Sequence, residues 1–385
     1  MLSYNDICSF EVLYKAFKKA RGGKRNKRQE AEYERNVLEN ILLLSEELLS
    51  GNYQPGPFET FYVYEPKKRL VQAPAFVDKV VQHALVDNYV YEAITRDFIL
   101  KNAASQINKG KQFALDWLKR DMVDYHNKHR TADGWVLKCD VHHFFASINH
   151  DILKVKLGNK IKDKRILELL FRYIDASNEG LPLGYQTSQL FALLYLDKFD
   201  HFVKERLKIK YYARYMDDFY LIHENREYLK YCREQIIDYL AHLKLELNEK
   251  TQIFPLSNGL DFLGFHTYIS DSGKIIRKLR RTSIKRIKSN IRYWSKAIPE
   301  GKITKEKVQE CFRSWDANAA HGDTLNLRIK YAKQVSEILG EPVYISKPIN
   351  SSGKRRKRIK IGKTDSERLS EWYLQNVILN DDENE

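Results

Sequence analysis

The chain has 385 residues, 43% hydrophobic and 30% charged, with a formal net charge of +15 and a pI of about 9.3. That length supports two domains or one large one with ample core, and the basic excess points to a polyanionic partner, nucleic acid before an anionic membrane surface. No apolar run approaches the ~20 residues of a membrane span, the N-terminus lacks a signal-peptide pattern, and four scattered cysteines (Cys8, Cys139, Cys232, Cys311) form no C-x-x-C pair; the expectation is a cytoplasmic protein with no membrane partner, zinc site or disulfide framework.

In chain order, residues 10–50 read as helical. Val12, Leu13, Ala16, Phe17 and Ala20 recur at helical spacing, a basic run follows at 21–28, and a second helix carries Val37, Leu38, Ile41, Leu42, Leu44, Leu48 and Leu49. Gly51–Pro57 is loop punctuation. Phe61–Tyr64 and Leu70–Ala73 read as strands joined by the basic turn Pro66-Lys67-Lys68-Arg69. Helices are expected at 75–91, 111–126, 151–161 and 165–175, with Asn149-His150-Asp151 as a helix start. Trp135–Val141 reads as a buried strand with Asp140 near its end, and 188–206 and 225–243 read as apolar helices. The composition shifts near 270: no acid occurs from Lys274 to Lys296, where Ile284, Ile287, Ile291 and Trp294 form one helical stripe beside Lys285, Arg286, Lys288 and Arg292. The expected organisation is an N-terminal basic helical extension (1–55), a core (56–270), a basic helical domain (271–345) and a tail (346–385) that is first basic, then acidic.

Tyr211–Ile222 is the segment most charged with meaning. Apolar and aromatic residues flank Asp217-Asp218, which reads as strand, tight turn, strand. Two adjacent carboxylates suit hard divalent cations, but an Asp-Asp turn taken alone is more often a solvated hairpin tip. Asp140, followed by Phe144-Phe145, supplies a third carboxylate at a strand end. Three such acids suit two divalent ions about 3.5–4 Å apart, one activating an attacking oxygen and one steadying a leaving phosphate. Between them lies Gly180–Gln189, a Gly/Pro loop that opens an apolar helix, where free N–H groups can receive phosphate or a base pair. His142 and His143 follow Asp140, but hard ions prefer oxygen and no second His or Cys cluster supports zinc.

This order of parts resembles the reverse transcriptases. Tyr215-Met216-Asp217-Asp218 matches the family's Y-x-D-D signature and Asp140 its preceding acid motif. Gly184–Gln189 matches the intervening Gly loop, Leu245–Thr251 the following Lys-bearing motif, Phe262-Leu263-Gly264-Phe265 the primer-grip hairpin, and Tyr64–Val71 the basic fingers hairpin. Together they cover roughly residues 60–270. The G-x-x-x-S-Q form of the loop and the Trp315–Thr324 segment with Leu327-Arg328 resemble the diversity-generating retroelement branch, near the group II intron enzymes. Two departures stand out: Leu183 replaces the Gln often found before the Gly, and Asn102–Lys111 lacks the small and hydroxyl residues expected after G-K.

The resemblance implies an α+β right-hand polymerase fold with fingers, an antiparallel palm sheet and a helical thumb. It implies an RNA-directed DNA polymerase that uses two Mg²⁺ ions, with Mn²⁺ as a substitute. Asp140, Asp217 and Asp218 would hold metal, and Lys250 would donate a proton to pyrophosphate. Lys67, Arg69, Phe145 and Gly184 would contact the dNTP, with Phe145 excluding a ribose 2′-OH. Gln189, Tyr215, Gly264, Lys285, Arg286, Lys288 and Arg292 would contact template and primer. For each there is a plainer alternative: a core aromatic for Phe145, a solvated turn for Lys67, a surface lysine for Lys250, a helix cap for Gln189. The implied partners are an RNA template, a DNA or RNA primer and dNTPs, with a structured non-coding RNA and a basic accessory protein if the retroelement branch holds. The rivals are a defence-associated reverse transcriptase acting against phage and a non-catalytic nucleic-acid-binding scaffold.

Overall fold

The structure, a computed structural model, describes residues 1–23, 28–64, 69–346 and 358–361, with Arg69 and 358–361 described by backbone only. Lys67, Lys68, most of the two basic runs and the acidic tail lie outside the described residues. Among these residues no helix is long and apolar enough to cross a membrane. The chain forms two compact units, residues 1–118 with 134–255, and residues 119–133 with 256–385.

In the first unit, the antiparallel pair β1 (Glu59–Val63) and β2 (Arg69–Ala73) precedes a four-stranded antiparallel sheet. That sheet takes β3 (Trp135–Asp140), β4 (Tyr211–Tyr215), β5 (Asp218–His223) and β6 (Gln252–Pro255) in the order β4-β5-β3-β6. Side chains alternate across a strand, so Leu137 and Cys139 enter the core while Lys138 and Asp140 share the opposite face. Helix Arg226–His242 lies on β3 and β5 and buries Leu229, Cys232, Ile236 and Leu240 on one stripe. Helix Gln186–Tyr195 is buried nearly all round, as its apolar run predicts.

The remaining helices fall close to expectation: Phe10–Ala20, Val37–Ser50, Lys111–His129, His150–Gly158 and Lys164–Asp175. Asn149 caps as predicted, its side chain accepting from Ile152 N at 3.2 Å. The expected 188–206 helix differs. It begins at Gln186, breaks at Leu196 and resumes as Asp197–His201 with no Pro or Gly to blame. The restart places buried Asp197 and Asp200 in a first helical turn, where the N-terminal dipole favours carboxylates.

The second unit holds the antiparallel sheet β7 (Leu260–Phe262), β8 (Phe265–Ile269) and β9 (Ile275–Leu279), then helices Arg281–Ala297, Lys305–Ala319 and Leu325–Leu339, and the pair β10 (Val343–Ser346) and β11 (Arg358–Ile361). The composition shift near 270 therefore falls inside this unit. One continuous ladder from Leu260 to Leu279 binds both sides of it, and the unit divides from the first at Pro255 instead. Its core joins Ile287, Ile291 and Trp294 to Phe312, Tyr331 and Val335. A buried ion pair, Arg328 Nε to Asp316 Oδ1 at 2.7 Å, closes it, and Asp316 Oδ2 accepts from Ser346 N at 2.6 Å.

Candidate active site

Antiparallel pairing sets Asp140 directly opposite Asp218, and Asp218 opposite Tyr215. Directly opposed side chains have Cβ atoms about 4.5–5.5 Å apart, and like charges so placed repel. Asp217 is the second central residue of the two-residue turn between β4 and β5, and its carbonyl accepts from Val141 N at 3.2 Å. The first central residue, Met216, has φ of 58°, a left-handed conformation that costs a non-Gly residue about 1–2 kcal/mol. Burial, then the neighbouring Asp140 carboxylate, pushes the Asp217 carboxyl above its ordinary range.

Two networks hold these acids. Asp140 is pinned from behind: its carbonyl accepts from Asn248 N at 2.7 Å, and His142 N donates to Glu246 O at 2.8 Å. The hairpin is pinned from within by Arg214, which is fully buried with Asp200. Its Nε and Nη2 donate to Asp200 Oδ1 and Oδ2 at 2.6 and 2.5 Å, and its Nη1 donates to Met216 O at 2.9 Å. Tyr212 completes the Asp200 shell through its hydroxyl at 2.6 Å. The segment Lys101–Ala103 borders β4: Arg214 N donates to Lys101 O at 3.1 Å, and Ala103 N donates to Arg214 O at 2.9 Å.

Lys138, two residues before Asp140 on the same face, ion-pairs with Asp218 and donates to Cys139 O at 3.2 Å. This is the difference from the sequence expectation of three converging acids: Asp218 turns to an ammonium. Among the described residues no three His, Cys, Asp or Glu side chains gather tightly enough to hold a metal ion by themselves. The donor set nevertheless fits hard cations: opposed carboxylate oxygens, one half-buried and repelled by its neighbour, with no sulfur among them.

The other expected site residues are distributed as follows. Phe145 is half-buried, with its ring edge-on to Phe144 at 5.7 Å, and its carbonyl accepts from Leu181 N at 2.7 Å. Gly184 runs so close to β2 that a Cβ would meet Gln72 O at 2.0 Å, so only Gly fits there. Gln189 accepts from Ser105 Oγ at 3.3 Å, and Tyr215 is half-buried. Lys250 is exposed, its backbone N donating to Asn248 Oδ1 at 3.1 Å. Arg69 contributes its backbone to β2. His142 and His143 are exposed, their rings 4.1 Å apart. In the second unit, Leu263 (φ 47°) and Gly264 (φ 86°) form the turn between β7 and β8, which needs positive φ at both positions. Lys285, Arg286, Lys288 and Arg292 are exposed along the outer face of their helix, with Ile287, Ile291 and Trp294 buried beneath.

Sequence reasoning missed Lys138, Asp200 and Arg214. A signal existed for Arg214: a charge inside the apolar strand Tyr211–Tyr215 needs a buried partner. Asp200, at helical distance in another element, carried no comparable mark.

Opposed acids at a hairpin on an antiparallel sheet are an arrangement suited to phosphoryl and nucleotidyl transfer. Residues 65–267, more than half of the chain, match the family described as "Reverse transcriptase (RNA-dependent DNA polymerase)". The chain belongs to that family, and its architecture is α+β with antiparallel sheets. It is similar to protein YkfC of Escherichia coli strain K12, at 28% identity over 298 residues, covering 65% of this chain and 75% of that protein. It is also similar to the group II intron-encoded protein LtrA of Lactococcus lactis subsp. cremoris, at 23% identity over 319 residues, covering 62% of this chain and about half, 51%, of that protein. Among solved structures, apo telomerase from Candida tropicalis aligns over 78% of this chain and 63% of that one, at 14% identity and a TM-score of 0.46.

Proposed function

We propose that the chain extends a primer 3′-OH with dNTPs on an RNA template, with Asp140, Asp217 and Asp218 as the acids that hold two Mg²⁺ ions. The observation that carries this is the direct pairing of Asp140 with Asp218 beside the Asp217 turn, inside a chain of this family. Such ions, when bound, polarise phosphoryl oxygens and lower the pKa of an attacking hydroxyl. The chain's own residues do the positioning. Arg214 and Asn248 fix the backbones from which the acids project. Phe145, tied to the Gly loop through Leu181, would close the sugar pocket against a 2′-OH. Lys67 and Arg69 follow β1 in sequence and would grip the triphosphate, and Lys250 would protonate the leaving pyrophosphate. By the order of motifs residues 56–270 would be fingers and palm and 271–345 the thumb, with the sheet Leu260–Leu279 packed in the second unit. The exposed basic face of helix Arg281–Ala297 is the surface that would track duplex phosphates.

The finer placement in the diversity-generating retroelement branch, with a structured RNA and a basic accessory protein as partners, rests on the Gly184–Gln189 loop form. A pair of near-identical repeats differing at adenines in the neighbouring DNA supports it, and their absence argues against it. The polymerase reading itself is tested by dNTP incorporation on a primed RNA template with Mg²⁺. Wild type should extend, and Asp217→Ala and Asp218→Ala should fall to background. Equal extension by all three would refute the assignment.

A further inference from the structure

His150 opens helix His150–Gly158, and its half-buried ring reaches the loop that leads to Gly184. Nε2 lies 2.8 Å from Gly180 O. A carbonyl oxygen only accepts, so Nε2 carries a proton and donates. Nδ1 lies 3.8 Å from Asp175 Oδ1, and Lys154 Nζ holds the same oxygen at 2.7 Å. Asp175 is the last residue of helix Lys164–Asp175, five residues before Gly180. The ring therefore faces a helix end with one nitrogen and the loop backbone with the other.

The bond falls on one particular peptide. Gly180 C=O and Leu181 N–H belong to a single planar unit, and Leu181 N donates to Phe145 O at 2.7 Å. In the usual trans peptide the two groups point in opposite directions, so His150 holds one edge of the plane and Phe145 the other. Phe145 sits in the four-residue helix Phe144–Ser147, too short to supply its carbonyl with a partner, and the loop supplies one. The approach is close: a Cβ on Gly180 would stand 2.5 Å from both Phe145 O and Ala146 Cα. Gly180 has φ of 59°, and a glycine lets the adjoining plane rotate with little steric hindrance. If that plane turned over, the Leu181 N–H would leave Phe145 O and the Gly180 oxygen would turn toward it, acceptor against acceptor. The His150 donor opposes that rotation, because it would lose its own acceptor.

We propose that His150 is a positioning residue for sugar selection: it fixes the Gly180–Leu181 peptide, which in turn holds Phe145 in place to refuse a ribose 2′-OH. This rests on the reading of Phe145 as the wall of the sugar pocket. The test uses the full-length protein, a DNA primer on an RNA template with Mg²⁺, and a dNTP and an rNTP of the same base. The readout is the ratio of their kcat/KM values, from which a general loss of folding or activity cancels. His150→Leu removes the donor and should lower the ratio by about 2- to 12-fold, the worth of one net hydrogen bond. His150→Asn, whose shorter amide does not reach Gly180 O, should do the same, and it carries the test if the leucine variant does not fold. His150→Gln places an amide N–H where Nε2 stands and should restore the ratio. Phe145→Ala should collapse the ratio by itself, and adding His150→Leu should lower it no further, because residues acting through one another are not additive. An unchanged ratio in active His150→Leu or His150→Asn overturns the proposal. So does a glutamine variant no better than the leucine one, or a full further loss on the alanine background. Unchanged discrimination in Phe145→Ala is a different failure: it removes the sugar-pocket reading and this inference together and leaves the polymerase reading standing.

Discussion

Replacing Arg214 with Met removes a guanidinium that serves two ends. On one side it neutralises Asp200, which is fully buried and would keep only the Tyr212 hydroxyl. Breaking a buried pair in this way costs about 3–5 kcal/mol, because the stranded charge has no water to turn to. Against a total stability of about 5–15 kcal/mol, the single variant should lose much of its folded margin, seen as a lowered urea midpoint. On the other side Arg214 holds the carbonyl of Met216, the left-handed residue that aims Asp217. A hydrogen bond from a charged donor is worth about 1.5–3 kcal/mol. The double variant Arg214→Met with Asp200→Asn separates the two roles. It leaves no stranded charge, and Tyr212 retains an acceptor, so most of the stability should return. The Met216 carbonyl stays unheld, and kcat should remain about 10- to 150-fold below wild type while template–primer affinity is unchanged. The measurements are equilibrium unfolding and single-nucleotide primer extension on the same preparations. A double variant that is stable and fully active would refute the positioning role; one that is as unstable as the single variant would refute the electrostatic reasoning.

Asp217→Asn should abolish extension yet raise metal-free stability by about 0.5–2 kcal/mol, since it removes a carboxylate that burial and Asp140 oppose. The sign with pH follows. A carboxyl whose folded pKa lies above its unfolded one contributes stability at low pH and loses it as pH rises through the folded value. The wild-type advantage at acid pH should therefore shrink in Asp217→Asn, as thermal melts between pH 4 and 7 would show; an unchanged profile counts against the assignment. Lys138→Ala strips Asp218 of its counter-charge and should lower the melting temperature in EDTA while enlarging the gain on adding Mg²⁺; equal Mg²⁺ gains would count against an opposed role for lysine and metal. Gly180→Ala should cost more than Gly340→Ala by about 1–3 kcal/mol in urea. Both have positive φ, but only at Gly180 would a Cβ meet backbone, 2.5 Å from Phe145 O, whereas at Gly340 nothing lies within 4 Å.

What the sequence made legible was local. Strand alternation, the turn at Asp217 and the stripe Ile287–Ile291–Trp294 each follow from residues a few positions apart, and each stands as expected. What it concealed depends on distant partners. Arg214 reaches back to Asp200 in a helix whose restart at Asp197 no Pro or Gly announces, and Gln82 caps a helix more than a hundred residues away. The segment Trp315–Arg328 also has a local structural role. As a motif it resembles a branch of the family, and several of its side chains take part in packing and ion pairs. Trp315 meets Tyr331 edge-on at 5.6 Å, Asp316 pairs with Arg328, and Asp323 accepts from Arg277 N at 2.8 Å. A buried charge pair whose carboxylate also accepts the Ser346 N–H has little freedom to vary, because losing either partner strands the other.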